Sequence, residues 1–69
     1  MTDQISVFVN DTEVKIYPGM TVKHALISFD TSLYQAVEAG ESVVVDQRGF
    51  GLGLDGSLGE GARIFTRSK

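Results

Sequence analysis

The sequence has no cysteine, no tryptophan, a single proline and a single histidine among its 69 residues. Without cysteine the chain forms no disulfide, no thiolate zinc site, no cysteine-ligated iron–sulfur cluster and no cysteine nucleophile. Packing alone must therefore hold the fold together, in a chain small enough to bury only about 60% of the surface that its unfolded state exposes.

Long apolar runs and clustered positive charges are also missing. No apolar run exceeds three residues, as in Val43-Val44-Val45, and no positively charged apolar leader opens the chain. We therefore expect a cytoplasmic protein that does not bind membranes. Nine acidic and six scattered basic side chains give a net charge of −3. Because nucleic-acid binding relies on clustered cations, we do not expect nucleic acid as a partner.

The first half of the chain shows a change of hydrophobic period. Apolar and polar residues alternate on either side of a turn at residues 10–12, which predicts a hairpin with one buried face; the apolar positions are Ile5, Val7, Val9, Val14 and Ile16. After Pro18-Gly19 the apolar residues recur at helical spacing, with Thr21 as the N-cap; these residues are Val22, Ala25, Leu26 and Phe29.

Shorter elements are predicted for the second half. Leu33 and Val37 predict a second helical turn or an ordered loop that ends at Gly40. Three consecutive valines predict a strand over residues 42–46, followed by a brief fourth strand or bulged edge and a last strand over residues 63–67. The predicted core combines the helical stripe with strand residues on one face: Val7, Val9, Val14, Ile16, Val43, Val45 and Ile64.

Two segments resemble a known superfamily. Residues 7–25, VFVNDTEVKIYPGMTVKHA, resemble the opening of β-grasp (ubiquitin-like) domains in sulfur carriers, TGS domains and ferredoxin-like domains, where a hairpin precedes a G-x-T-V helix start. Residues 54–64, LDGSLGEGARI, are similar to the L-x-x-G-D-x-I turn before the last strand of these families. The resemblance implies an α+β fold with residues 1–69 as one β-grasp domain. A mixed sheet of four to five strands would pack on one main helix, with the first and last strands parallel at its centre.

The resemblance does not choose one function. A sulfur carrier or ubiquitin-like modifier acts through a C-terminal diglycine, whereas this sequence ends in Arg67-Ser68-Lys69, and a ferredoxin needs four thiolates. These two activities are therefore not expected of the chain as it stands. A TGS-type regulatory domain that binds a small ligand near residues 49–56 remains an alternative.

The patterns that suggest chemistry have simpler structural interpretations. Residues 51–56 match G-x-G-x-x-G, but only 13 residues follow Gly56 and they predict a turn and a strand, so the helix and the acidic residue about 20 positions later that a dinucleotide site needs are both missing. His24 is the sole histidine and is predicted to be a partly exposed helix residue, and the acidic residues Asp46, Asp55 and Glu60 occupy positions where carboxylates cap turns. We expect no catalytic residue, no cofactor and no metal, and hence no enzyme.

The most favoured function is therefore a non-enzymatic module that binds another protein. One candidate contact is a mixed aromatic and basic strand face formed by Phe8, Lys15 and Tyr17. The other is the segment 49–61, which holds six of the eight glycines and is expected to be the most mobile part of the chain. Its candidate contact residues are Phe50, Leu52 and Leu54.

Overall fold

Five strands and two helices follow one another in the computed structural model, which describes residues 3–69. In chain order they are β1 (Ile5–Val9), β2 (Thr12–Ile16), α1 (Val22–Phe29), α2 (Thr31–Glu38), β3 (Ser42–Asp46), β4 (Gly51–Leu52) and β5 (Arg63–Ser68). The strands form one mixed sheet in the order β2-β1-β5-β3-β4. Strands β1 and β5 pair in parallel and the other neighbours are antiparallel, which confirms the predicted central pairing of the first and last strands.

The hairpin β1–β2 turns through two residues in the left-handed region, Asn10 (φ 51°) and Asp11 (φ 67°). Two successive positive φ angles give the turn a twist that matches the twist of the flanking strands. The resulting register pairs Val9 with Thr12 and Val7 with Val14. The valines at 7, 9 and 14 are buried, so the predicted alternation is confirmed.

The helices α1 and α2 differ from the expected single main helix, because each contains eight residues. Asp30 accounts for the difference. Its backbone N–H donates to the Leu26 carbonyl at the end of α1, while its side chain accepts the Ser32 N–H at 2.9 Å and so caps α2. At the far end Gly40 (φ 82°) donates to Val37, and the next N–H donates to Ala36, which closes α2 with a Schellman motif.

Both helices pack on the same face of the sheet. The core cluster comprises Val7, Val9, Val14, Ile16, Val22, Ala25, Leu26, Val44 and Ile64, with Phe29, Leu33 and Val37 half-buried against it. None of the helices in the described part of the chain is long and apolar enough to cross a membrane.

The prediction that Val43 and Val45 face this core is wrong. Strand register gives the reason, because β3 pairs Val44 with Thr66 and Val45 with Phe65. Ile64 lies in the core, so Phe65 and its partner Val45 lie on the opposite side of the sheet. Val45 is buried there and Val43 is half-buried, whereas Val44 is the valine that belongs to the core.

Candidate functional site

One face of the sheet is covered by neither helix, and we call it the open face. Its residues follow from the register of the five strands: Ser6, Phe8, Glu13, Lys15, Val43, Val45, Arg63, Phe65 and Arg67. The centre is apolar and the periphery is charged, with three bases and one acid on the face itself. An apolar centre with a polar rim is also the composition of many protein interfaces.

Arg63 connects the apolar and charged parts of the open face. Its guanidinium carbon lies 4.3 Å from the centroid of the Phe8 ring, within the range of a cation–π interaction. Its Nη1 lies 3.6 Å from Oδ1 of Asp11, at the tip of the hairpin. Because the guanidinium lies over the ring, Phe8 is half-buried rather than exposed.

A polar network lies beside this pair, where β1 and β2 face each other. The Ser6 hydroxyl donates to Oε2 of Glu13 at 2.7 Å, and the Lys15 ammonium lies 3.1 Å from the same oxygen. Lys15 also donates to the Ser6 hydroxyl at 2.7 Å. The Ser6 hydroxyl and then the Lys15 ammonium lower the pKa of the Glu13 carboxyl below its usual value. The carboxylate therefore has two local donors and a neighbouring positive charge.

The predicted residues Phe8 and Lys15 are both on the open face, whereas no strand pairing assigns Tyr17 to a face. Phe8 and Lys15 lie on neighbouring strands of the open face, and Tyr17, which directly follows β2, is 47% exposed. Phe65 and Arg67 also lie on the open face and were not among the predicted contact residues. The alternation around the inward-facing Ile64 was the signal that places both residues on the opposite side.

The other predicted contact residues lie elsewhere. Leu52 and Leu54 are half-buried and pack against the core on the helix side, whereas Phe50 is 66% exposed. The backbone of this segment also caps a helix, because the N–H groups of Val22 and Lys23 donate to the carbonyls of Gly56 (2.9 Å) and Leu54 (3.0 Å). The N-terminus of α1 is thus closed by the chain itself, which leaves no place for a pyrophosphate there.

A groove lies on the helix side, at the edge of the sheet where α2, β3 and β4 meet. Its volume is about 470 Å³. The apolar lining consists of Val37, Val44, Leu52 and Leu54, and Val43, which belongs to the open face by its register, borders the groove at the sheet edge; the rest is Glu38, Gly40, Ser42, Gly51, Gly53 and Lys69. A volume of this order falls within the range of roughly 300–1,000 Å³ that small-ligand sites occupy.

Two of the three acidic residues singled out in the sequence, Asp46 and Glu60, accept backbone hydrogen bonds. Oδ1 of Asp46 accepts the N–H groups of Arg48 (2.8 Å) and Phe50 (3.0 Å), and Oε2 of Glu60 accepts the Ser6 N–H at 2.6 Å. Asp55 is exposed. Within residues 3–69 no group of three or more His, Cys, Asp or Glu side chains is arranged to hold a metal ion.

Compared with known proteins, the chain matches no family model, no curated protein and no solved structure.

Proposed function

We propose that this chain is a β-grasp domain that binds another protein through its open face and catalyses no reaction of its own. The observation that carries the proposal is the open face itself. Phe8, Val43 and Phe65 lie half-buried there, and none of the three packs against the core cluster that the helices cover.

Support for the β-grasp assignment comes from the topology. The sheet order β2-β1-β5-β3-β4 places the first and last strands side by side and parallel, with a hairpin at one edge. Both helices lie on one side of this sheet. An antiparallel or mixed sheet with one covered face leaves the other face for solvent or a partner.

Support for a protein partner comes from the composition of the open face. Aromatic rings and arginines are enriched at protein interfaces because they combine large apolar area with directional polar contacts. Here Arg63 already lies over the Phe8 ring, so a partner would meet a preformed surface and would have little to order. Arg67 is exposed at the border of the same face.

A photo-crosslinking experiment tests the proposal in the protein's own host. A photoreactive amino acid replaces Arg67 on the open face or, as the control, Gln35 on the exposed side of α2. We expect position 67 to capture one protein reproducibly and position 35 to capture none of it. Capture from position 35 alone would contradict the assignment of the open face.

Binding of that protein, once purified, is then measured with two charge-matched variants. Arg67→Glu should weaken binding by about fivefold, as expected for reversal of one exposed interfacial charge worth about 1 kcal/mol. Lys23→Glu changes the net charge equally, but Lys23 is exposed on α1 at the helix side, so binding should not change. Equal effects of the two variants would indicate long-range charge and not contact at the open face.

A further inference from the structure

We propose that the groove between α2, β3 and β4 is a second binding site, for a zwitterionic ligand of dipeptide size with branched apolar side chains. The groove lies on the helix side of the sheet, away from the open face. This inference is therefore independent of the proposed protein-binding function, and either can fail without the other.

The charges of the groove carry the argument. The charged side chains of the lining are one carboxylate, Glu38, and one ammonium, Lys69, and no ion pair within 4 Å joins these side chains to each other or to another charge in residues 3–69. A ligand that carries both an ammonium and a carboxylate would neutralise both at once. A ligand with a single charge would leave one of the two without a partner.

Each charged residue is held by a neighbouring element. The Tyr34 hydroxyl donates to Oε2 of Glu38 at 2.6 Å, and this hydrogen bond raises the pKa of the tyrosine above its usual value. The backbone N–H of Lys69 donates to the Glu41 carbonyl at 3.0 Å, directly after the Schellman turn. The second carboxylate oxygen of Glu38 and the Lys69 ammonium have no hydrogen-bond partner within the described residues.

The lining between these charges favours an apolar body. Val37, Val44 and Leu52 contribute branched side chains to the wall, and Gly51 and Gly53 add backbone without side chains. Branched apolar ligand groups would bury area here at roughly 25 cal/mol per Å². In an extended dipeptide the ammonium and the carboxylate lie about 7 Å apart, which is farther than in a free amino acid.

The test is an NMR titration of the full chain with leucyl-leucine. We expect progressive amide shifts at groove residues, among them Val37 and Gly53. N-acetyl-leucyl-leucine lacks the ammonium and leucyl-leucinamide lacks the carboxylate, and each should bind about two- to fivefold more weakly, as expected for loss of one exposed ion pair. Equal affinity for the blocked dipeptides, shifts outside the groove, or equal binding of free leucine would each overturn the proposal.

Variants assign the two ends of the ligand. Glu38→Gln should weaken leucyl-leucine binding but add no further loss for the acetylated peptide, and Lys69→Met should behave in the same way towards the amide. If the loss of affinity from blocking the peptide and the loss from replacing the side chain simply add when both are combined, these charges do not pair as proposed.

Two glycines offer a matched steric test. A Cβ at Gly53, which lines the groove, would meet no atom within 4 Å and the φ of Gly53 lies outside the left-handed region, so Gly53→Leu adds a large side chain at the groove wall without a clash or backbone strain. The same holds for Gly59, which does not line the groove. We expect Gly53→Leu to abolish binding and Gly59→Leu to leave it unchanged. Binding that survives Gly53→Leu in a folded variant would exclude the groove.

Discussion

At the scale of single residues, Asn10 serves both the hairpin turn and the central strand pair. Among the backbone hydrogen bonds on the β5 side of β1, the Phe8 N–H donates to the Ala62 carbonyl and the Asn10 N–H donates to the Ile64 carbonyl. Beyond Asn10 the backbone has already entered the turn, so the Asn10 side chain, and not the backbone, makes the next hydrogen bonds to β5. Oδ1 accepts the Thr66 N–H at 3.0 Å, and Nδ2 donates to the Thr66 hydroxyl at 2.9 Å.

This double role predicts a graded response to substitution. Asn10→Gly tolerates the positive φ but loses both side-chain hydrogen bonds, and it should lower the free energy of unfolding by about 1–2 kcal/mol. Asn10→Ala keeps a Cβ in the left-handed region but lacks the short polar side chain that lets asparagine adopt it, and should cost about 2–4 kcal/mol. Urea denaturation of both variants measures the difference. Equal stability of the two variants would argue against strain at this position.

The carboxylate of Glu13 makes a prediction about pH. Ser6→Ala and Lys15→Met should each raise the pKa of Glu13, because each removes a donor to its ionised form. Lys15→Arg keeps the charge and should restore most of the effect. Carboxyl-carbon NMR titration measures all three variants.

The direction of the Glu13 pKa shift determines how its contribution to the free energy of unfolding depends on pH. Because the pKa of Glu13 is lower in the folded state than in the unfolded state, the network stabilises the fold at pH values above the unfolded pKa. This contribution is lost as the pH falls through the folded pKa. Glu13→Gln should remove this part of the decrease in the free energy of unfolding at acidic pH. An unchanged decrease in the variant would contradict the assignment.

At the scale of elements, the start of α1 has an unusual cap. Nδ1 of His24 accepts the Thr21 backbone N–H at 3.1 Å, the place that glutamate takes in a capping box. His24→Glu should therefore stabilise the protein by about 0.5–1 kcal/mol, because glutamate makes the same hydrogen bond and adds a negative charge at the helix N-terminus. His24→Ala should destabilise it. Thermal unfolding of the two variants tests the cap, and a loss of stability in both would contradict it.

Elements with a clear local pattern were predictable from the sequence. The hairpin alternates strictly around a two-residue turn, and α1 combines a helical stripe with an N-cap, so their bounds follow from nearby residues. Strand β3 was found, but its orientation was not, because Val43, Val44 and Val45 show no alternation. Only its pairing with β5, some 20 residues later, distinguishes the face of Val44 from that of Val45.

The candidate sites depend on more distant information. The role of Asp30 in both helices divides a predicted main helix and turn into two equal helices; the preference of Asp30, Thr31 and Ser32 for helix caps indicates the break, but it does not indicate the full length of α2. The groove joins α2, β3, β4 and Lys69, so it arises only from tertiary packing. The open face was partly predictable, since Phe8 and Lys15 belong to the hairpin, whereas Phe65 required the register of the last strand.

At the scale of the whole molecule, most of what the two helices contribute to the core comes from α1. Leu26 is fully buried and belongs to the central cluster, whereas its neighbour Ile27 is 40% exposed. Leu26→Ala should lower the free energy of unfolding by about 2–5 kcal/mol. Against a total of about 5–15 kcal/mol, with a small domain near the lower end, this loss would unfold a substantial fraction of the molecules.

Ile27→Ala is the matched control for this prediction. It removes a similar volume from the same helix but from its exposed side, so its effect should stay near or below about 1 kcal/mol. Melting temperatures followed by circular dichroism compare the two variants. Similar losses for Leu26→Ala and Ile27→Ala would show that the helix is rotated relative to the sheet.

The central place of β5 has a consequence for synthesis on the ribosome. Ser6 and Glu60 are hydrogen-bonded although 54 positions separate them. The edge of β1 that faces β5 therefore stays unpaired until residues much later in the chain have been synthesised. Some 46 residues lie between the end of β2 and the start of β5, and the ribosome synthesises them in roughly 2–9 s at about 5–20 residues per second. Stalled nascent chains should therefore become resistant to protease only when β5 has left the exit tunnel. Until then the hairpin presents an unpaired strand edge to whatever binds new chains in the cell.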